Sequence, residues 1–167
     1  MGISFIKKEK EYLKLFLAGI VNGIGDRFSS VAVLAMLLNI TGSGFAVGVT
    51  LAIRLIPFLI FGPIGGFIAD RYSRKTILIV TDLLRILFAL SFLFVHSKED
   101  LWIVYVSSFI LAAFESIYAP VRKSAIPQLI NKDNLVKINS FEQVMVGIVL
   151  IIGAFSGGIL STLFGPY

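Results

Sequence analysis

The sequence has no cysteine, one histidine and one tryptophan. The lack of cysteine excludes disulfides and thiolate metal sites and leaves the redox compartment unread. Charge is also scarce. Only 15% of residues are Asp, Glu, Lys or Arg, against about 25% in soluble domains. Apolar residues take the vacated share: 57% of the 167 positions are hydrophobic and mean hydropathy is +0.92, which places the chain among membrane proteins. A bilayer-crossing helix uses about 20 apolar residues. Five of them leave only short connections, which excludes a sizeable soluble domain. The sequence shows no nucleophile–base pair, metal-ligand cluster or phosphate-cradling loop, so neither an enzyme nor a bound metal or cofactor is expected.

Five apolar stretches read as spans: residues 15–38, 45–69, 77–95, 101–119 and 138–164. Residues 1–14 precede them and 165–167 follow. The breaks carry turn formers or charge, as at Thr41, Gly42, Ser43 and Gly44. The longest break, 120–137, has room for a short amphipathic helix on the membrane surface. A cleaved signal peptide is not expected, because the first stretch is too long and Asn22, Asp26 and Arg27 interrupt it.

The cations set an expected orientation. Lys7, Lys8, Lys10 and Lys14 precede the first span, Arg71, Arg74 and Lys75 fill the second connection, and Arg122, Lys123, Lys132 and Lys137 fill the fourth; Lys98 stands alone on the opposite side. The positive-inside rule then puts the N-terminus in the cytoplasm and the C-terminus outside, in a multi-pass protein of the cell (inner) membrane. These cations hug membrane ends at alternate connections, so a nucleic-acid surface is not expected. Trp102 and Tyr105 at the outer end, with Tyr12 and Tyr118 near inner ends, read as an aromatic belt.

Ionisable residues inside the spans are costly and face protein or water. By helical rise, Asp26, Arg27, Arg54 and Arg85 fall near the midplane, with Asp82 and Glu115 roughly 6–8 Å toward the cytoplasm and Glu142 nearer that end. Asp82 and Arg85 are three apart and read as a pair within one helix. Asp26 and Arg54 match in depth and read as an inter-helix pair. Glu115 has no cation one turn away, which makes it the best proton-titrating candidate. Two readings stay open for these groups: carboxylates lining a proton or substrate path, or ion pairs that fix helix register. Gly19 with Gly23, Gly44 with Gly48, Gly62 with Gly66 and Gly153 with Gly157 are spaced for close helix packing.

The run Gly66, Phe67, Ile68, Ala69, Asp70, Arg71, Tyr72, Ser73, Arg74, Lys75 closely resembles the G-x-x-x-D-R-x-G-R-R/K loop of the major facilitator superfamily, with Ser73 in place of glycine. Gly153, Ala154, Phe155, Ser156, Gly157, Gly158 is similar to that family's antiporter motif G-P-x-x-G-G, with Ala154 in place of proline. The arginine that opens the family's fourth-helix motif is missing from residues 101–119. Gly25 through Ser30, Ala52 through Pro57, and Tyr118, Ala119 and Pro120 resemble the drug-exporting branch that includes macrolide efflux proteins and the enterobactin exporter. The resemblance implies an all-α fold in which five transmembrane helices form most of an N-terminal six-helix half. It implies that Gly66, Asp70, Arg71, Arg74 and Lys75 form a gate with Asp70 as its latch. It also implies that Asp26, Arg54, Asp82, Arg85 and Glu115 line or tune a path, while Gly153, Gly157 and Gly158 form the antiporter-like element.

The expected function is therefore the N-terminal portion of a proton-coupled exporter of drugs or other amphipathic small molecules, working by alternating access. Family members have twelve spans, so missing C-terminal helices or a second copy are expected partners beside the bilayer and the substrate. The alternative is a short non-transporting membrane protein that assembles with itself or with a full transporter as a structural or regulatory unit.

Overall fold

The computed structural model describes residues 10–163. It contains five long helices: α1 (Lys10–Thr41), α2 (Gly44–Arg71), α3 (Arg74–Leu90), α4 (Leu101–Leu129) and α5 (Leu135–Leu163). A 3₁₀ turn, Ser91–Phe94, extends α3, and others precede α4 and α5. All five helices, α3 together with its extension to Phe94, are long and apolar enough to cross a bilayer. Five long apolar helices are expected and five form, most of them beginning before the apolar stretches or outlasting them. Lys7, Lys8 and residues 164–167 lie outside the described residues.

The connection after α1 is tight because Gly42 takes φ +65° and its N–H bonds back to the Leu38 carbonyl. A residue with a Cβ is disfavoured there. The expected surface helix within 120–137 does not form separately. Instead α4 runs on through Pro120 and Pro127 to Leu129. Two causes carry it past Pro120. The buried stripe continues through Val121, Arg122, Ala125 and Ile126, and Gly65 of α2 packs so closely on Pro120 and the Ser116 carbonyl that an added Cβ there would lie 2.9 and 3.2 Å from them. Neighbouring helices of this kind let a membrane helix tolerate proline.

The most extensive packing joins α2 to α4 and α1 to α5, and α3 lies against α4. The helix α4 is the most buried. The helix α3 is peripheral: it buries only the stripe Leu78, Thr81, Arg85 and exposes Ile79, Leu83, Ile86, Leu87 and Leu90. Large apolar side chains face outward, Phe45 at 82% and Leu59 at 80% exposure among them. This inverts a soluble protein and suits lipid contact. The core is apolar at its two ends, around Tyr12, Ile126 and Ile138 and around Leu37, Val95 and Val104. Between them lie buried Thr50, Thr81, Arg85, Ser107, Ser108 and Ser116.

Candidate functional site

Arg85 is central to this polar middle. Its position on the buried stripe of α3 turns it toward α1 and α4. Nη2 donates to Asp26 Oδ1 of α1 at 3.0 Å, and Nη1 lies 2.6 Å from Glu115 Oε2 of α4. The guanidinium also sits 5.6 Å from the centroid of the Tyr118 ring, within cation–π range. One cation thus ties three helices.

The sequence-based pairings change accordingly. Asp82 does not pair with Arg85; its Oδ1 accepts a 2.8 Å bond from Asn22 Nδ2 of α1. Asp26 and Arg54 do approach, but at 3.9 Å, and Arg54 Nη1 donates to Ser30 Oγ at 2.8 Å. Glu115 has a cation after all, delivered by another helix. The five expected path residues therefore gather in one place; the Asp26–Arg54 approach is as expected, while Asp82 and Glu115 have other partners.

A second cluster lies nearer the ends of α1 and α4. Arg122 Nη1 and Nη2 donate to the two Glu142 carboxylate oxygens at 2.5 and 3.1 Å, and the Tyr12 hydroxyl donates to Glu142 Oε1 at 2.8 Å. All three side chains are buried. Tyr12 and Tyr118 are therefore core residues and not members of an aromatic belt, whereas Trp102 is exposed. Arg122 escapes a sequence reading that assigns it to a surface connection. Because α4 continues past Pro120, Arg122 lies on that helix, opposite Glu142 on α5. Gly19 makes room for it, since an added Cβ would come 2.7 Å from Arg122 Nη2.

The connection between α2 and α3 begins in the last turn of α2. Asp70 is exposed and makes no ion pair among the described residues. Arg71 stacks 4.4 Å from the Phe67 ring centroid, Arg74 Nε donates to Ser124 Oγ of α4 at 3.0 Å, and Lys75 is exposed. Ser73 caps α3 at φ −58°, a conformation that does not need the glycine the loop pattern calls for. A Cβ at Gly66 would meet open space, so the helix contact expected there is made by Gly65 instead. Gly44, Gly48 and Gly62 also face open space. In α5 the expected contacts exist: Gly153 abuts Arg27 Cβ and the Ile24 carbonyl, and Gly157 abuts Val31 and the Phe28 carbonyl of α1. For Gly158 no such close approach to a described residue is seen.

A cavity of ≈ 200 Å³ lies between α1, α4 and α5, lined by Asn22, Asp26, Arg27, Arg85, Glu115, Tyr118, Arg122 and Met145 among others. It touches both ionic clusters. Residues 15–167 match the Major Facilitator Superfamily. The chain belongs to that superfamily. It is 25% identical to macrolide efflux protein A of Streptococcus pyogenes over 79% of this chain and 33% of the relative. It is 26% identical to the enterobactin exporter of Salmonella choleraesuis over 96% of this chain and 39% of the relative. It is 33% identical to the class H tetracycline resistance protein of Pasteurella multocida over 68% of this chain and 27% of the relative. The chain thus spans between about a quarter and two-fifths of these relatives' length. No solved structure matches it. Within this superfamily of multi-pass transporters, the five helices form part of the major facilitator fold, and the two ionic clusters lie inside its helical bundle.

Proposed function

We propose that the chain is the N-terminal portion of a secondary active exporter that moves amphipathic small molecules outward against proton entry by alternating access. The observation that carries this reading is Arg85, which holds carboxylates of α1 and α4 at the edge of a cavity. Membrane-embedded ionisable groups of this kind mark substrate and proton paths. A proton on Glu115 or Asp26 removes one of the two anions that Arg85 serves, which loosens α3 from α4 or from α1. That supplies a coupling between protonation and helix position. The efflux proteins among the relatives support export over import, and the family match favours transport over a helper subunit. Missing C-terminal helices or a second copy complete the path. Asp70, Arg71, Arg74 and Lys75 form the cytoplasmic gate in this reading.

The orientation belongs to the same proposal: N-terminus in the cytoplasm, C-terminus outside, in the cell (inner) membrane. The cysteine-free sequence makes this directly testable. In cells, a membrane-impermeant maleimide should label Lys98→Cys from outside and Ser73→Cys only after permeabilisation. The reverse pattern would invert the assignment.

The test of function is pH-driven efflux from proteoliposomes holding the complete transporter. Glu115→Gln should uncouple efflux from the imposed gradient, and Asp70→Asn should slow it while leaving insertion intact. Gradient-driven efflux at the wild-type rate in Glu115→Gln would remove Glu115 from proton coupling; normal rates in Asp70→Asn would remove the latch.

A further inference from the structure

We propose that Arg27 is a specificity-determining residue that makes the cavity between α1, α4 and α5 selective for amphipathic anions, compounds that carry a carboxylate, phenolate or sulfonate beside an apolar body. This deepens the export reading and rests on it.

The argument begins with matched and unmatched charge. The other arginines within the helical bundle all have a partner. Arg54 has Ser30 and, at 3.9 Å, Asp26; Arg85 has Asp26 and Glu115; Arg122 has Glu142. Arg27 has no carboxylate within 4 Å among the described residues; it is exposed, lines the cavity and faces Glu115 only at longer range. An unpaired cation within a membrane span is costly and is retained where it faces water or a ligand.

The carboxylates are distributed the other way. Asp26 and Glu115, which line the same cavity, are both held by Arg85. Asp82 lines an adjoining groove between α1 and α3, which shares Asn22, Asp26 and Arg85 with the cavity, and it is bonded to Asn22. A cationic ligand entering this cavity meets carboxylates that are already engaged. An anionic ligand meets Arg27, and Lys123 toward the end of α4. Met145, Val146, Val149 and Tyr118 supply surface for an apolar body.

The base of the Arg27 side chain is closely packed, while the residue as a whole is exposed. Gly153 of α5 lies against it so closely that an added Cβ would stand 2.5 Å from Arg27 Cβ. Gly153 thereby lets α5 pack against the start of the Arg27 side chain on α1. Arginine presents its donors as a planar fork that matches a carboxylate or sulfonate.

The test uses three fluorescent probes that share one apolar body: dansylglycine (anionic), dansylamide (neutral) and dansylcadaverine (cationic). Affinity and gradient-driven efflux are measured for the intact transporter. The wild type should bind dansylglycine about tenfold more tightly than dansylamide, the scale of one charged hydrogen bond. Arg27→Gln should abolish the preference and Arg27→Lys should keep part of it. Raising salt should shrink the wild-type preference without changing dansylamide binding. If Arg27→Gln does not insert, the Arg27→Lys and salt series decide the matter. Equal affinity for the three probes, preference for the cation, or an anion preference that survives Arg27→Gln would overturn the assignment of Arg27. Efflux that continues in such a case leaves the export reading standing, whereas absence of gradient-driven efflux for every probe overturns both.

Discussion

At the scale of the residue, the charges inside the bundle are unequal in what they hold. Arg85 is buried and contacts two carboxylates on two other helices, whereas Arg54 is longer-range to Asp26 and has a serine to bond. Removing one member of a buried ion pair leaves its partner uncompensated, at a cost of about 3–5 kcal/mol. Arg85→Gln should therefore lower stability in detergent by that order, and Arg54→Gln by roughly 1 kcal/mol, the scale of one hydrogen bond. Thermal or denaturant unfolding of the two variants checks the ranking, and equal losses would mean that Arg85 is not the organising cation. Much of this site was legible in the sequence. Asp26, Arg54, Asp82, Arg85 and Glu115 were identifiable as charges at bilayer depth, and all five gather in the structure. Apart from the Asp26–Arg54 approach, their pairings were not legible, because depth and spacing fix only height along each helix. Rotation about the axis decides who meets whom. Arg85 shares the face of Leu78 and Thr81, while Asp82 stands about 60° away around α3 and reaches Asn22.

At the scale of the element, apolar length determined five helices, and five helices form. Their ends were less legible, since amphipathic turns such as Lys10–Lys14 and 120–129 look like connections until something packs on them. Tyr12, Arg122 and Glu142 do so, forming a buried triad between α1, α4 and α5. Spacing alone also could not say which glycines touch. Gly153 and Gly157 press on α1 while Gly62 and Gly66 face open space, because contact depends on which face meets a neighbour. Gly153→Leu should push α1 from α5 and destabilise the bundle by about 1–3 kcal/mol, as overpacking does. Gly147→Ala is the matched control on the same helix. Its added Cβ meets nothing, so it should be neutral or gain up to about 1 kcal/mol from helix propensity. Detergent stability of the two proteins separates the cases, and a tolerated Gly153→Leu would mean that α5 does not need its close approach.

At the scale of the whole molecule, the packing carries an internal exchange. If α1 is exchanged for α4 and α2 for α5, the contact of α2 with α4 becomes that of α5 with α1, and these are the two most extensive in the bundle. This is the relation expected of inverted repeats. The packing of α3 on α4 then calls for a counterpart: a further helix packed on α1. Along α1 lies a groove of ≈ 550 Å³, floored by Leu17, Ala18, Val21 and Gly25 and flanked by Ile86 and Ala89 of α3. Asn22, Asp26, Ser29, Asp82 and Arg85 also line it, so a transmembrane helix would seat on its apolar side chains and leave the polar ones facing the α1–α3 seam. Gly25→Trp discriminates between that occupant and lipid. A Cβ at Gly25 meets nothing among the described residues, so the five helices should accept the indole with helix content and detergent stability unchanged. A helix seated in the groove could not, and the complete transporter carrying Gly25→Trp should assemble poorly and lose efflux. Wild-type efflux in that variant would assign the groove to lipid and leave the counterpart of α3 without a seat on α1.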